Sequence, residues 1–311
     1  MNFMLYGALL LAQVGTSAKQ FAMKKCGKLA PGAYNSICIN LVRSLICLAV
    51  SMIIWAFAGG GTTTVFGHVI IIISGIGTAL NLFSWILSSQ IVSLTLIESV
   101  CMIGSMVIPM ILAPYLYDGD TVSHIQWIGC ALVFVSVLLF TNKKTEKSEE
   151  VSALQKIVIV AICAISVTLS SVFKKYYTYH ITANGLGSIE YFTFINFVTV
   201  LVVFAVLFAI YYTSEMKRAV SVYAECEKPK VEFPYKKVWV YIIIAAVALY
   251  VNELFTSYAT QLPSAIYYPL SKGLTVGCTF LLDVIVFKDK VTVKKIIGFF
   301  TVITAIILIN L

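Results

Sequence analysis

The chain has 311 residues, 60% of them hydrophobic and 12% charged, with a formal net charge of +8 and a mean hydropathy of +0.94. Soluble domains are about 45–50% apolar and about 25% charged, so the composition excludes a soluble globular protein and indicates a polytopic membrane protein. The basic residues lie between apolar runs, which argues against nucleic acid as a partner.

A membrane-spanning helix needs about 20 apolar residues, within a range of roughly 17–25. By that rule ten spans are predicted, over 3–23, 33–57, 68–88, 92–115, 125–141, 156–176, 189–212, 238–259, 264–287 and 294–310. The first has no basic region ahead of it and is polar on one side, so it reads as a working helix, not a removable signal. The fifth and tenth are short and uniformly apolar. They suit a peripheral, lipid-facing position or the interface of a homodimer. Connections are brief except over 213–237, a polar segment of mixed charge with Pro229 and Pro234, which is read as a cytoplasmic loop. The charged stretch Glu146–Glu150 divides the chain into a half over 1–145 and a half over 151–311.

The two halves carry related residues. Asn81, Gln90, Ser93, Asp118, Thr121 and Val122 recur 171 positions later as Asn252, Gln261, Ser264, Asp289, Thr292 and Val293, while Thr16 and Phe21 recur 152 positions later as Thr168 and Phe173. An odd number of spans per half inserts the second half upside down. The expected fold is therefore all-α, with ten transmembrane helices arranged as two inverted five-helix repeats. Such repeats place a binding site near the bilayer midplane.

Lys24, Lys25 and Lys28, then Lys143, Lys144 and Lys147, then Lys217, Arg218, Lys228 and Lys230, and finally Lys288, Lys290, Lys294 and Lys295 all fall on one side of this arrangement. The other side offers Lys174 and Lys175, with the acidic Asp118 and Asp120. The positive-inside rule makes the basic side cytoplasmic and puts both termini outside.

The stretch Gln261–Asn310 consists of an apolar helix, a short loop with Asp289 and Thr292, and a final helix bearing Gly298. The first half answers it with Pro109, Asp118, Thr121 and Gly129. This pattern resembles the end of each repeat in the drug/metabolite transporter superfamily, in its ten-helix EamA-like form. That loop commonly carries Glu where this chain has Asp118 and Asp289. The resemblance covers essentially the whole chain and implies secondary transport of small metabolites by alternating access. Relatives are usually drawn with cytoplasmic termini, which conflicts with the orientation read from the lysines.

Charges inside the spans are the site candidates. A midspan ammonium costs about 2.5–3.5 kcal/mol on insertion scales, so Lys272 in the ninth span faces either a cavity or a neighbouring helix. Helical spacing adds Tyr268, Thr275, Thr279 and Asp283 to its stripe. Glu98 lies one turn from Cys101, the counterpart of Lys272 at the 171-residue spacing, so Glu98 and Lys272 are expected to meet as an ion pair, either working or static. Arg43, with Asn40 and Cys47 on its face, can grip an anion or hold Glu190 or Glu98. Glu253, beside Asn252, is a candidate proton carrier or an internal hydrogen-bond acceptor. Asn81 is the matching residue of the third span. Lys19 either binds or snorkels to the interface. Tyr268 is preferred over Tyr267, Tyr191 and Tyr250 as an aromatic site residue. Eight scattered cysteines without a CxxC pair, and His68, His124 and His180 near span ends, assemble no metal site, no disulfide framework and no nucleophile–base pair. No cofactor is implied, and an enzyme is not expected.

These residues predict a plasma-membrane secondary transporter of a small anionic or zwitterionic metabolite, with a proton as candidate coupling ion. Helix one has no carboxylate, which argues against export of cationic drugs. The alternative is a membrane-embedded protein that binds or senses a small molecule without moving it.

Overall fold

The structure, a computed structural model, describes residues 2–30, 33–91, 101–140, 153–222, 235–285 and 292–310. These residues form ten helices and no strand. In hydrocarbon every backbone polar group must find its partner internally, and a helix does this within one segment.

The helices are α1 (Asn2–Leu29), α2 (Ala33–Phe57), α3 (Val65–Ile91), α4 (Ile108–Leu116), α5 (His124–Phe140), α6 (Ala153–Tyr176), α7 (Ile189–Val222), α8 (Tyr235–Ala259), α9 (Ser264–Ile285) and α10 (Val293–Ile309). Four of them contain segments long and apolar enough to cross a membrane: Tyr34–Phe57, Val65–Ser84, Ile189–Thr213 and Val238–Ala259. The helices start and stop close to the apolar runs of the sequence. Two departures stand out. A π-helical turn at Ile103–Val107 leads into α4, and another at Tyr177–Thr182 ends α6. In addition α7 runs 34 residues to Val222, so the segment read as a loop from 213 begins as helix.

Helices from the two halves interleave. Helix α1 lies along α8, and α6 lies along α3. Helix α2 packs on both α7 and α8, while α7 also touches α3. Helix α9 is flanked by α1, α4, α5 and α10. The α5 and α10 helices, expected at the periphery, pack on one another and turn Ile128, Val135, Phe300 and Ile307 outward.

Small residues permit the tightest crossings, because lipid tails offer helices no hydrophobic drive to associate and close backbone approach must supply the attraction. A Cβ on Gly15 of α1 would lie 2.9 Å from the Ala248 carbonyl of α8, and one on Gly77 of α3 would lie 2.9 Å from the Ser166 carbonyl of α6. Above the second crossing, Thr78 and Ser170 share a hydrogen bond of 2.8 Å.

Candidate functional site

Five helices deliver charged side chains to one interior region. Glu253 comes from α8, Lys174 from α6, Lys19 from α1, Arg43 from α2 and Lys272 from α9. The Lys174 ammonium forms an ion pair with the Glu253 carboxylate, and both residues are buried, at 4% and 9% exposure. Lys19 lies within electrostatic reach of Glu253, Arg43, Lys174 and Lys272 together. Lys19, Arg43 and Lys174 thus lie within electrostatic reach of one carboxylate, with Lys272 within reach of Lys19. Among the described residues, Lys174 is the cation paired to Glu253, and neither Lys19, Arg43 nor Lys272 has a carboxylate at ion-pair distance.

Arg43 is 1% exposed. Its Nη2 donates to Asn40 Oδ1 at 2.5 Å, one turn back on the same helix. Its Nε, like Asn40 Nδ2, has no partner among the described residues. Buried donors in this state each forgo about 1–3 kcal/mol, so the pair presents unused hydrogen-bonding capacity on the α2 face. Lys19 and Lys272 are half-buried. Beside Lys272, Gln13 of α1 clamps α9. Its Nε2 donates to Ser271 Oγ at 2.9 Å, and its Oε1 accepts from Thr275 Oγ1 at 2.6 Å. Ser271 and Thr275 of α9 therefore face α1.

Other sequence candidates take different positions. Asn252 Nδ2 donates to the Ala12 carbonyl at 3.0 Å and to Thr16 Oγ1 at 2.6 Å, so it bolts α8 to α1. Asn81 is on α3, where its Oδ1 accepts from the Cys163 thiol at 3.8 Å. Tyr268 is buried beside Tyr117 and Asp120, with its hydroxyl 3.5 Å from the Ser171 carbonyl. Its neighbour Tyr267 is the tyrosine within electrostatic reach of Glu253. The hydroxyl of Tyr258 donates to the Glu190 carboxylate, so Glu190 engages α8. Glu98 and the side chains of Thr279 and Asp283 lie outside the described residues, and with Glu98 the expected pair to Lys272.

Lys174 and Lys175 are read from the sequence as charges on the side opposite the basic loops. Both are buried. Consecutive helical residues point about 100° apart, so each reaches a different acid. Lys174 reaches Glu253. Lys175 lies 3.6 Å from Asp120 and donates to the carbonyls of Thr260 at 3.2 Å and Leu262 at 2.6 Å. Both Asp120 oxygens accept from the Ser264 backbone N–H at 3.0 Å, the first donor of α9. A carboxylate satisfies the open donors and favourable dipole of a helix start. Asp120 thus joins the α4–α5 connection to α6 and α9.

A cavity of about 340 Å³ between α3, α4 and α6 is lined by apolar side chains such as Phe66, Leu112 and Phe173, and it holds none of the charged residues. Among the described residues no three His, Cys, Asp or Glu side chains are grouped to hold a metal ion.

No known protein family matches this sequence, and no curated protein matches it either. A solved structure described only as "Crystal structure of protein" superposes with a TM-score of 0.67 over 98% of this chain and 98% of its own length, at 12% sequence identity. At that identity the likeness establishes a shared fold: the chain adopts an all-helical architecture already seen in another protein, over nearly its full length.

Proposed function

We propose that this protein is a secondary transporter of the plasma membrane, built as two inverted five-helix halves, that moves a small anionic or zwitterionic metabolite by alternating access. The observation that carries the reading is the gathering of Arg43, Lys272 and the Lys174–Glu253 ion pair around Lys19. Charged groups inside membrane spans are costly and mark substrate or ion pathways. Here they come from α1 and α2 of one half and α6, α8 and α9 of the other, which suits a site between repeats. The excess of cations favours a negatively charged group on the ligand, because attraction is barely screened in such surroundings.

The neighbour relations favour the repeat. Advancing each helix number by five, with ten returning to five, turns the pair α1/α8 into α6/α3 and the pair α2/α8 into α7/α3, and all four pairs pack. The close crossings agree in register: position 15 advanced by 152 is 167, between Ser166 and Ser170, and position 248 set back by 171 is Gly77. The ion pairs of Lys174 and Lys175 suit a seal on the side away from the basic loops.

The test is a thermal-shift screen of the purified protein against anionic, zwitterionic and cationic metabolites, since a ligand that binds only the folded form raises its melting point by mass action. Anions or zwitterions are expected to stabilise the wild type and to lose that effect in Lys272→Ala. Stabilisation by cations alone would overturn the charge assignment. Uptake of the stabilising compound into proteoliposomes then separates transport from binding without transport.

A further inference from the structure

Two buried sulfurs meet away from the charged cluster. Cys101, just before the π-helical turn that leads into α4, places its Sγ 3.2 Å from Sγ of Cys163 on α6. The residues are 7% and 1% exposed, and both are thiols in the structure. A disulfide has its sulfurs about 2.05 Å apart, so bond formation asks the two atoms to close by little more than an ångström. The backbones are already near. A Cβ on Gly104 would lie 2.6 Å from the Ala164 carbonyl, and Thr168 Oγ1 donates across the same crossing to the Gly104 carbonyl at 2.7 Å. Gly104 and Ala164 follow the two cysteines along their helices.

We propose that Cys101 and Cys163 are a reversible oxidation site, closing to a disulfide under a peroxide and reopening under a thiol reductant. Burial keeps an isolated thiol inert, but here the resolving sulfur is already in contact. The step balances as follows. A small neutral peroxide transfers one oxygen to the first sulfur, giving a sulfenic acid and releasing water from hydrogen peroxide. The second thiol then attacks that sulfur, the S–S bond forms, and the sulfenic oxygen leaves with two protons as a second water. The two thiols together lose two electrons and the peroxide gains them. The bond ties the entrance of the π-helical turn at Ile103–Val107 to α6, and such turns often mark functional sites. It also removes the S–H that Cys163 gives to Asn81 Oδ1. The site stands independently of the transport reading.

The experiment exposes the full-length protein in lipid nanodiscs to hydrogen peroxide, then denatures it in an alkylating reagent and maps unreduced peptides by mass spectrometry. The expected product joins the peptides of Cys101 and Cys163, returns to two alkylated cysteines after dithiothreitol, and is absent from Cys163→Ser and from Cys101→Ser. Alkylation of both cysteines to the level of the untreated protein would overturn the proposal. So would sulfinic or sulfonic acid at either one without linkage, or a bond from either to a different cysteine.

Discussion

The Lys174–Glu253 pair shows what a single charge does at depth. Each residue is tolerated because the other neutralises it, and removing one partner strands the other away from water. Glu253→Ala is expected to destabilise the protein by about 3–5 kcal/mol, seen as a lower melting temperature, and adding Lys174→Met should recover much of the loss. A single variant that melts with the wild type would mean that the two side chains do not pair. Arg43 makes a different prediction. Arg43→Lys keeps the charge but loses the planar fork. The apparent affinity for a stabilising anion should fall at least tenfold, or about 1.4 kcal/mol, while the melting temperature of the ligand-free protein changes little. An unchanged affinity would remove Arg43 from the site. At this scale the sequence was a partial guide. Lys19, Arg43, Lys272 and Glu253 are legible as charges in apolar runs, and the structure brings them to one region. Lys174 and Lys175 are not, because they stand near a span end, where lysine usually reaches for water. Only the direction of each side chain reveals its acid. Tyr267 and Tyr268 are adjacent, and residue type alone cannot say which of them comes within electrostatic reach of Glu253.

Element boundaries were far easier to read. The helix ends follow the apolar runs because hydrocarbon tolerates no unpaired backbone, so a span lasts as long as its side chains remain greasy. The π-helical turns at Ile103–Val107 and Tyr177–Thr182 leave no such trace, since one added residue per turn alters neither composition nor length. Packing between elements rests on a few small side chains. Gly77→Val is expected to force α3 and α6 apart, because even its Cβ would sit 2.8 Å from the Ser170 amide nitrogen. Overpacking of this kind costs about 1–3 kcal/mol, measurable as a drop in melting temperature. Gly7→Ala serves as the control, since nothing lies within 4 Å of a Cβ at that position. Equal melting of the two variants would mean that the α3–α6 crossing is looser than described.

Across the whole molecule, the stretches 1–145 and 151–311 are not separable bodies. Since α1 lies on α8 and α6 lies on α3, each half leaves a long helix face bare without the other. Halves expressed alone over 1–145 and 151–311 are expected to be degraded or to aggregate, whereas the same halves made together should assemble and co-purify. A half that melts cooperatively by itself would contradict the interleaving. The attachment of α9 carries a mechanical consequence. Asp120 grips the first amide of this helix, and Lys272 lies in its ninth position, counting from Ser264. A rod of 22 residues is about 33 Å long. Held at that fulcrum, a tilt of about 10° would carry its far tip by roughly 6 Å but the Lys272 backbone by only about 2 Å, from the rise of 1.5 Å per residue. The helix would thus act as a lever, with its far tip sweeping wide while the ammonium stays almost where it was.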